Sequence, residues 1–319
     1  KNFKKNINLI SKIGGITLLV TGILILTNKL QAIGFKKQNA KAMAKVILEQ
    51  GNQIRLNTTV DSILTTSGKV SGVRLSNSQS ISADLVVSNA DSGFTYNELL
   101  KKQKKRRWTE KKVNRQNWSM GLFVWYFGTK GTRNLWKDVD FHTVLNGPRY
   151  RGLVEDIFVN GILSEDMSLY LHRPSVADPT VAPKGCDTFY ALSPVPHLGF
   201  DHSIDWEREA EPYRLKVQAQ LEKKLLPGLG EKLSVSHVMT PFDFRDRYLS
   251  PFGSGFSMEP LMFQSAWFRP HNISEEIKGL FFRSSDNTKT YSVLCNEEIF
   301  NCIDNAIKTG KPLIIFLDE

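Results

Sequence analysis

Between Ser168 and Asn272 the sequence reads SLYLHRPSVADPTVAPKGCDTFYALSPVPHLGFDHSIDW and, after an intervening helical segment, TPFDFRDRYLSPFGSGFSMEPLMFQSAWFRPHN. Apolar and aromatic side chains are interleaved there with Pro, Gly, His and Arg too densely for an ordinary amphipathic surface. The stretch is expected to wall a large apolar cavity. With 319 residues, 41% of them hydrophobic, the chain has enough apolar side chains for two domains or pieces of two.

Several residues in this stretch are candidates for chemistry. His172 and Arg173 follow an apolar strand and read either as a substrate-facing polar pair or as a hydrogen-bonded structural pair. His197 lies in PVPHLG, where backbone rigidity would hold an imidazole in one orientation. Alternation in TPFDFRDRY predicts a strand with Phe242, Phe244, Asp246 and Tyr248 on one face and Asp243, Arg245 and Arg247 on the other. Charges buried on such a strand must pair. Pro212 reads as the first-turn proline of a helix that carries Val217, Leu221 and Leu225. GSGFSM, from Gly253 to Met258, lacks a third glycine and a leading strand, so it is not a dinucleotide fingerprint.

The strings SLYLHRPSVADP, APKGCDTFYALSPVPHLG, LLPGLGEKL, TPFDFRD and QSAWFRPHN resemble, in the same order, the second half of bacterial-type phytoene desaturases. These are FAD-dependent carotenoid dehydrogenases. The resemblance runs from about Ala40 to Gly279 and implies a mixed α/β fold, with an incomplete Rossmann-like FAD/NAD(P)-binding domain and a mixed-sheet substrate domain. It divides the chain into a divergent N-terminal segment (1–39), a partial FAD region (40–100), a substrate and membrane-associated domain (101–279) and an atypical tail (280–319).

What the resemblance implies chemically is hydride transfer to FAD from an allylic carbon of a long polyene precursor such as phytoene. Quinone or oxygen would reoxidise the flavin. Val60 matches the position whose backbone meets the adenine, and Asn89 and Ala90 match the return of the chain toward the cofactor. His172, His197, Phe244, Arg245 and Trp267 are expected at the substrate pocket. Against this stands the lack of any G-x-G-x-x-G turn in the sequence, the motif whose amides hold a pyrophosphate. The chain therefore reads as a truncated or rearranged desaturase, with a non-catalytic membrane-associated fragment as the alternative.

The flanking segments add further expectations. NQIRLNTTVDSILTTSGKVSGVRLSNSQSISADLVVSNAD alternates apolar and polar residues between Gly and Asn-Ser breaks, which predicts a meander of short strands. SMGLFVWYFGTKG is apolar on both faces and predicts a buried strand. The run KKQKKRR at Lys101–Arg107 reads as a solvated face, or as a patch resting on an anionic membrane with Trp108 and Trp118 at headgroup level. Net charge is +10. No recognition motif supports a nucleic-acid partner.

Residues 13–28 are uncharged but shorter than the roughly 20 residues that span a bilayer, so a buried or interfacial helix is expected. Three cysteines without C-x-x-C or metal spacing lead us to expect no metal site and a reducing, cytoplasmic setting; the basic run adds the expectation of a place peripheral to the membrane. A helix over Glu297–Lys308 and a strand over Pro312–Leu317 are expected in the tail.

Overall fold

The computed structural model describes residues 44–45, 47–49, 51–202, 204–282 and 314–315. The apolar run at 13–28 and the helix expected over Glu297–Lys308 lie outside the described residues. Residues 44–45 and 47–49 are helical. No described helix is long and apolar enough to cross a membrane. The fold is mixed α/β and divides into two compact units, one built on 120–247 and 252–255, the other on 41–119, 248–251 and 256–319. Residues 101–119 thus group with the region that precedes them.

In the latter unit the expected meander forms. Strands β1 (Val60–Thr66), β2 (Lys69–Leu75) and β3 (Ser80–Ser82) pair antiparallel in that order. Ser67 and Gly68, both at positive φ, make the two-residue turn between the first two, whose backbone twist suits a tight hairpin. A second sheet sets β4 (Val86–Ser88) parallel between β10 (Leu280–Phe282) and β11 (Ile314–Ile315). Ile63, Val73, Val86, Leu100, Leu280 and Phe282 close the core of this unit.

Trp108 and Trp118 belong to that core, at 0% and 5% exposure, and not to a membrane-facing surface. The cause is a pair of carboxylates far along the chain. Glu276 accepts the backbone N–H groups of Arg106, Arg107 and Trp108 at 2.5–2.9 Å, and Glu275 accepts the Trp108 indole N–H at 2.9 Å. Burial alone would push the Glu276 carboxyl up, but those three amides hold it below its ordinary value. The end of the basic run is thereby folded around two acids, with Lys112 lying 4.0 Å over the Trp108 ring.

The other unit is a five-stranded antiparallel sheet in the order β6 (His142–Leu145), β7 (Leu169–His172), β8 (Asp187–Val195), β5 (Gly121–Thr129), β9 (Leu233–Met239). The expected buried strand is β5, next to β8 and β9 near the middle of the sheet. One face packs Phe123, Trp125, Phe127, Phe189 and Leu171 against α1 (Trp206–Lys224), which contributes Trp206, Tyr213, Val217 and Leu221. Phe123 lies 5.8 Å from the Trp206 ring and 4.9 Å edge-on from Tyr213. The apolar positions of α1 recur at helical spacing, which lets one stripe face the sheet.

Two local expectations are corrected. Pro212 does not open α1: Asp205 caps the helix at Trp206, and Pro212 lies inside it. Burial of Trp206 against the sheet carries the start of the helix forward, and the proline forfeits one bond to the Arg208 carbonyl. The TPFDFRD segment is not a strand but the short helix α2 (Pro241–Asp246). Thr240 accepts the Phe242 N–H at 3.3 Å, and Asp243 accepts the Thr240 N–H at 2.8 Å. That capping box, with Pro241 at the first helical position, outweighs the period-two pattern.

Candidate functional site

The face of the five-stranded sheet opposite α1 is not covered by it, and alternation dictates what stands there. His142 pairs across the strands with His172, His172 with Tyr190, Tyr190 with Tyr126, and Tyr126 with His237. Directly opposed residues share a face, so these five side chains form one row across all five strands. Tyr170, two residues before His172, joins the same face. Four strand spacings make the row about 19 Å long.

The rings are in contact along its whole length. Centroids are 5.0 Å apart for His142–His172, 4.8 Å for His172–Tyr190, 5.7 Å for Tyr126–Tyr190 and 6.4 Å for Tyr126–His237. The His142 Nδ1 lies 3.3 Å from the His172 Nδ1 and within hydrogen-bond reach of the Tyr170 hydroxyl. Val144, Tyr126 and Val235 lie 38%, 40% and 66% exposed on this face, which is therefore open enough to receive a ligand.

Burial keeps the His142–His172 end of the row uncharged at physiological pH. Burial first, and the neighbouring His142 second, lower the His172 imidazole to about 4. Burial lowers His142 as well, and raises the phenols of Tyr170 and Tyr190. A floor of uncharged aromatic rings binds flat, apolar, polarisable molecules through area and ring-face contacts.

This neutrality has a pH consequence. The folded His172 has a pKa below its unfolded value near 6.5, so the stability linked to it is present above that value. It is lost as pH falls from about 6.5 toward 4. Discounted for partial solvation, the loss is about 1–2 kcal/mol. Urea midpoints measured at pH 7 and pH 4.5 are expected to show it, and His172→Phe is expected to shrink the difference; an unchanged difference would assign it elsewhere.

Beneath the row, Arg173 is held in place by the core. Its guanidinium donates to Asp187 at 2.9 and 3.3 Å and to the carbonyls of Trp136, Val139 and Arg133. Asp187 also accepts from Ser175 at 2.6 Å and Thr132 at 2.9 Å. Of the two readings open for His172–Arg173, the structure divides them: Arg173 is a structural ion pair and His172 faces the open side.

The remaining candidates are dispersed. His197 follows β8, where its Nδ1 accepts the Gly199 N–H at 2.9 Å and its ring stacks on Phe200 at 4.9 Å. Counted along β8 from Tyr190, it lies about 23 Å from the row. Phe244 and Arg245 are on α2, where Arg245 pairs with the adjacent Asp246 and covers the Phe242 ring. Trp267 belongs to the other unit, 71% exposed. Of the five, only His172 sits in the row. His142, Tyr126, Tyr170, Tyr190 and His237 were missed, although the alternation in SLYLH and DTFYALS carries the signal for Tyr170 and Tyr190.

A family model described as flavin containing amine oxidoreductase matches residues 33–291. The chain belongs to this family. The phytoene desaturase (neurosporene-forming) of Rhodobacter capsulatus is 57% identical over 277 residues, covering 84% of this chain and 53% of that protein. The phytoene desaturase (lycopene-forming) of a Paracoccus species is 41% identical over 250 residues, covering 78% and 49%. The chain thus spans about half the length of the curated relatives it matches. Among solved structures, a putrescine oxidase variant is 14% identical, with a TM-score of 0.48 over 84% of this chain and 52% of that one.

Flavin is the cofactor of the amine oxidoreductase family, as the resemblance implied. The described residues fit one edge of such a site. Strand β4 runs parallel between two neighbours, and Asn89 stands exposed just past its carboxyl end, the place where nucleotides meet open parallel sheets. Ala90 follows, half-buried, and Val60 is half-buried at the start of β1, packed on the core. None of the three makes a phosphate grip, and the sequence holds no G-x-G-x-x-G to make one.

Proposed function

We propose that this chain carries the polyene-binding part of a phytoene desaturase-like oxidoreductase of carotenoid biosynthesis. The observation that carries the reading is the aromatic row spanning five strands, in a chain 57% identical to a phytoene desaturase over 84% of its length. A long hydrocarbon such as phytoene has no polar group to recognise; shape, area and ring contacts must align it. FAD, when bound, supplies the acceptor for the hydride. The chain's own part is to lay the substrate along the row, exclude water from it, and keep His142 and His172 uncharged beneath it. The Arg173–Asp187 pair fixes the strands that present those rings.

Such a substrate dissolves in lipid, so the same reading places the protein on an anionic membrane surface. The test is expression in cells that accumulate phytoene, followed by pigment analysis and flavin absorbance of the purified protein. Loss of phytoene, with conjugated products appearing, supports the reading. A second reading, a non-catalytic membrane-associated chain, is decided by the same experiment. Protein without flavin absorbance, in cells whose phytoene is unchanged, would support that second reading and overturn the first.

A further inference from the structure

Four large apolar side chains crowd the segment Met262–Phe268, and all point outward. Met262 is 69% exposed, Phe263 77%, Trp267 71% and Phe268 50%. Single exposed apolar residues are ordinary, but four within seven positions are not.

The segment is also braced from below. Its two short 3-10 turns are fastened by Gln264 and Arg269, both buried. The Gln264 side chain accepts the Asn117 N–H at 2.9 Å and donates to the carbonyls of Asn117 and Glu259. Arg269 donates to the Gln264 and Met258 carbonyls. The inward polar residues are spent on holding the turn, so the apolar ones are presented rather than collapsed.

The basic run lies beside it within the same unit. The Trp267 ring packs 4.7 Å from His271, whose Nδ1 is 3.3 Å from Glu275. Glu275 in turn pairs with Arg107 at 2.7 Å and with the Trp108 indole. Three contacts therefore join Trp267 to the end of a run whose exposed cations include Lys101, Lys102, Lys104, Arg106, Lys111 and Arg115. An apolar projection next to a dense cationic strip matches an anionic bilayer, with acyl chains under the aromatics and headgroup phosphates against the lysines.

We infer that the 262–268 turn is the element that inserts into an anionic lipid surface, with the 101–115 strip lying on the headgroups. This extends the membrane placement proposed above by naming the contact. The contact is independent of flavin or polyene.

The six tryptophans make the test direct. Five of them, Trp108, Trp118, Trp125, Trp136 and Trp206, are at most 5% exposed, so acrylamide quenching of the native protein reports on Trp267. Adding vesicles of phosphatidylcholine with phosphatidylglycerol is expected to blue-shift that emission and shield it from acrylamide. Phosphatidylcholine alone should do so weakly, and Trp267→Phe should abolish the signal. Phe263→Asp with Phe268→Asp, both on the surface, is expected to weaken partitioning by at least about tenfold. Replacing Lys101, Lys102 and Lys104 with Gln should weaken it by a similar factor of about ten on anionic vesicles only. Quenching that vesicles leave unchanged would overturn the inference. So would shielding that grows with protein concentration in the absence of lipid, which would assign the turn to a second copy. Failure of desaturation with Trp267 shielded would count against the proposed function and leave this contact standing.

Discussion

Arg173→Met is expected to destabilise the protein by about 3 kcal/mol, the low end of the cost of removing one partner of a buried ion pair, because Arg133 remains 3.6 Å from Asp187. Asp187 is 1% exposed and Arg173 2%. Burial by itself would raise the Asp187 carboxyl; hydrogen bonds from Arg173, Ser175 and Thr132 more than reverse this and leave it below its ordinary value. The pair therefore contributes stability above the unfolded carboxylate range, and that contribution is lost as pH falls through and below it.

Without the guanidinium, Asp187 must either take up a proton or stay charged in the core. Three carbonyls, of Trp136, Val139 and Arg133, lose their donor at the same time. The double variant Arg173→Met with Asp187→Leu is expected to recover part of the loss, because no buried carboxylate is then left without its main partner, while Arg133, 3.6 Å from Asp187 in the native protein, is partly solvated. Urea unfolding of the three proteins measures this. A single variant within about 1 kcal/mol of the wild type would show that the network is not the clamp described.

The second large effect concerns the open face. Tyr190 stands at the centre of the row, touching His172 on β7 and Tyr126 on β5. Tyr190→Ala removes the ring that joins the two halves, and the gap cannot be closed by neighbours fixed on adjacent strands. Retention of a long polyene is expected to fall about ten- to a hundredfold, consistent with about 1.5–3 kcal/mol for one large aromatic contact. Tyr190→Phe keeps the ring and should change retention little. Equal loss in both variants would mean that the hydroxyl, and not the aromatic face, makes the contact.

How far the sequence foretold this depends on the range over which each feature is decided. The meander and β5 were legible because period-two alternation and an unbroken apolar run are local signals. The capping box of Thr240 and Asp243 was equally local, yet it was hidden under an accidental alternation of Phe, Asp and Arg. Trp108 was misplaced for the opposite reason: its partner Glu276 lies 168 positions away, and only folding brings that carboxylate to the basic run.

The aromatic row shows the same limit at the site. His172 was singled out from its own segment, but its neighbours come from β5, β6, β8 and β9, and the row exists only once those strands are in register. His197, Phe244, Arg245 and Trp267 share the composition expected of a substrate pocket but do not join the row.

The central claim is that a hydrocarbon lies along this row. A photoactivatable long-chain isoprenoid, cross-linked to the protein and mapped by mass spectrometry, tests it most directly. Labels are expected on the strands carrying Tyr126, Tyr170 and Tyr190. Labels confined to other segments, with those three strands unmarked, would contradict it.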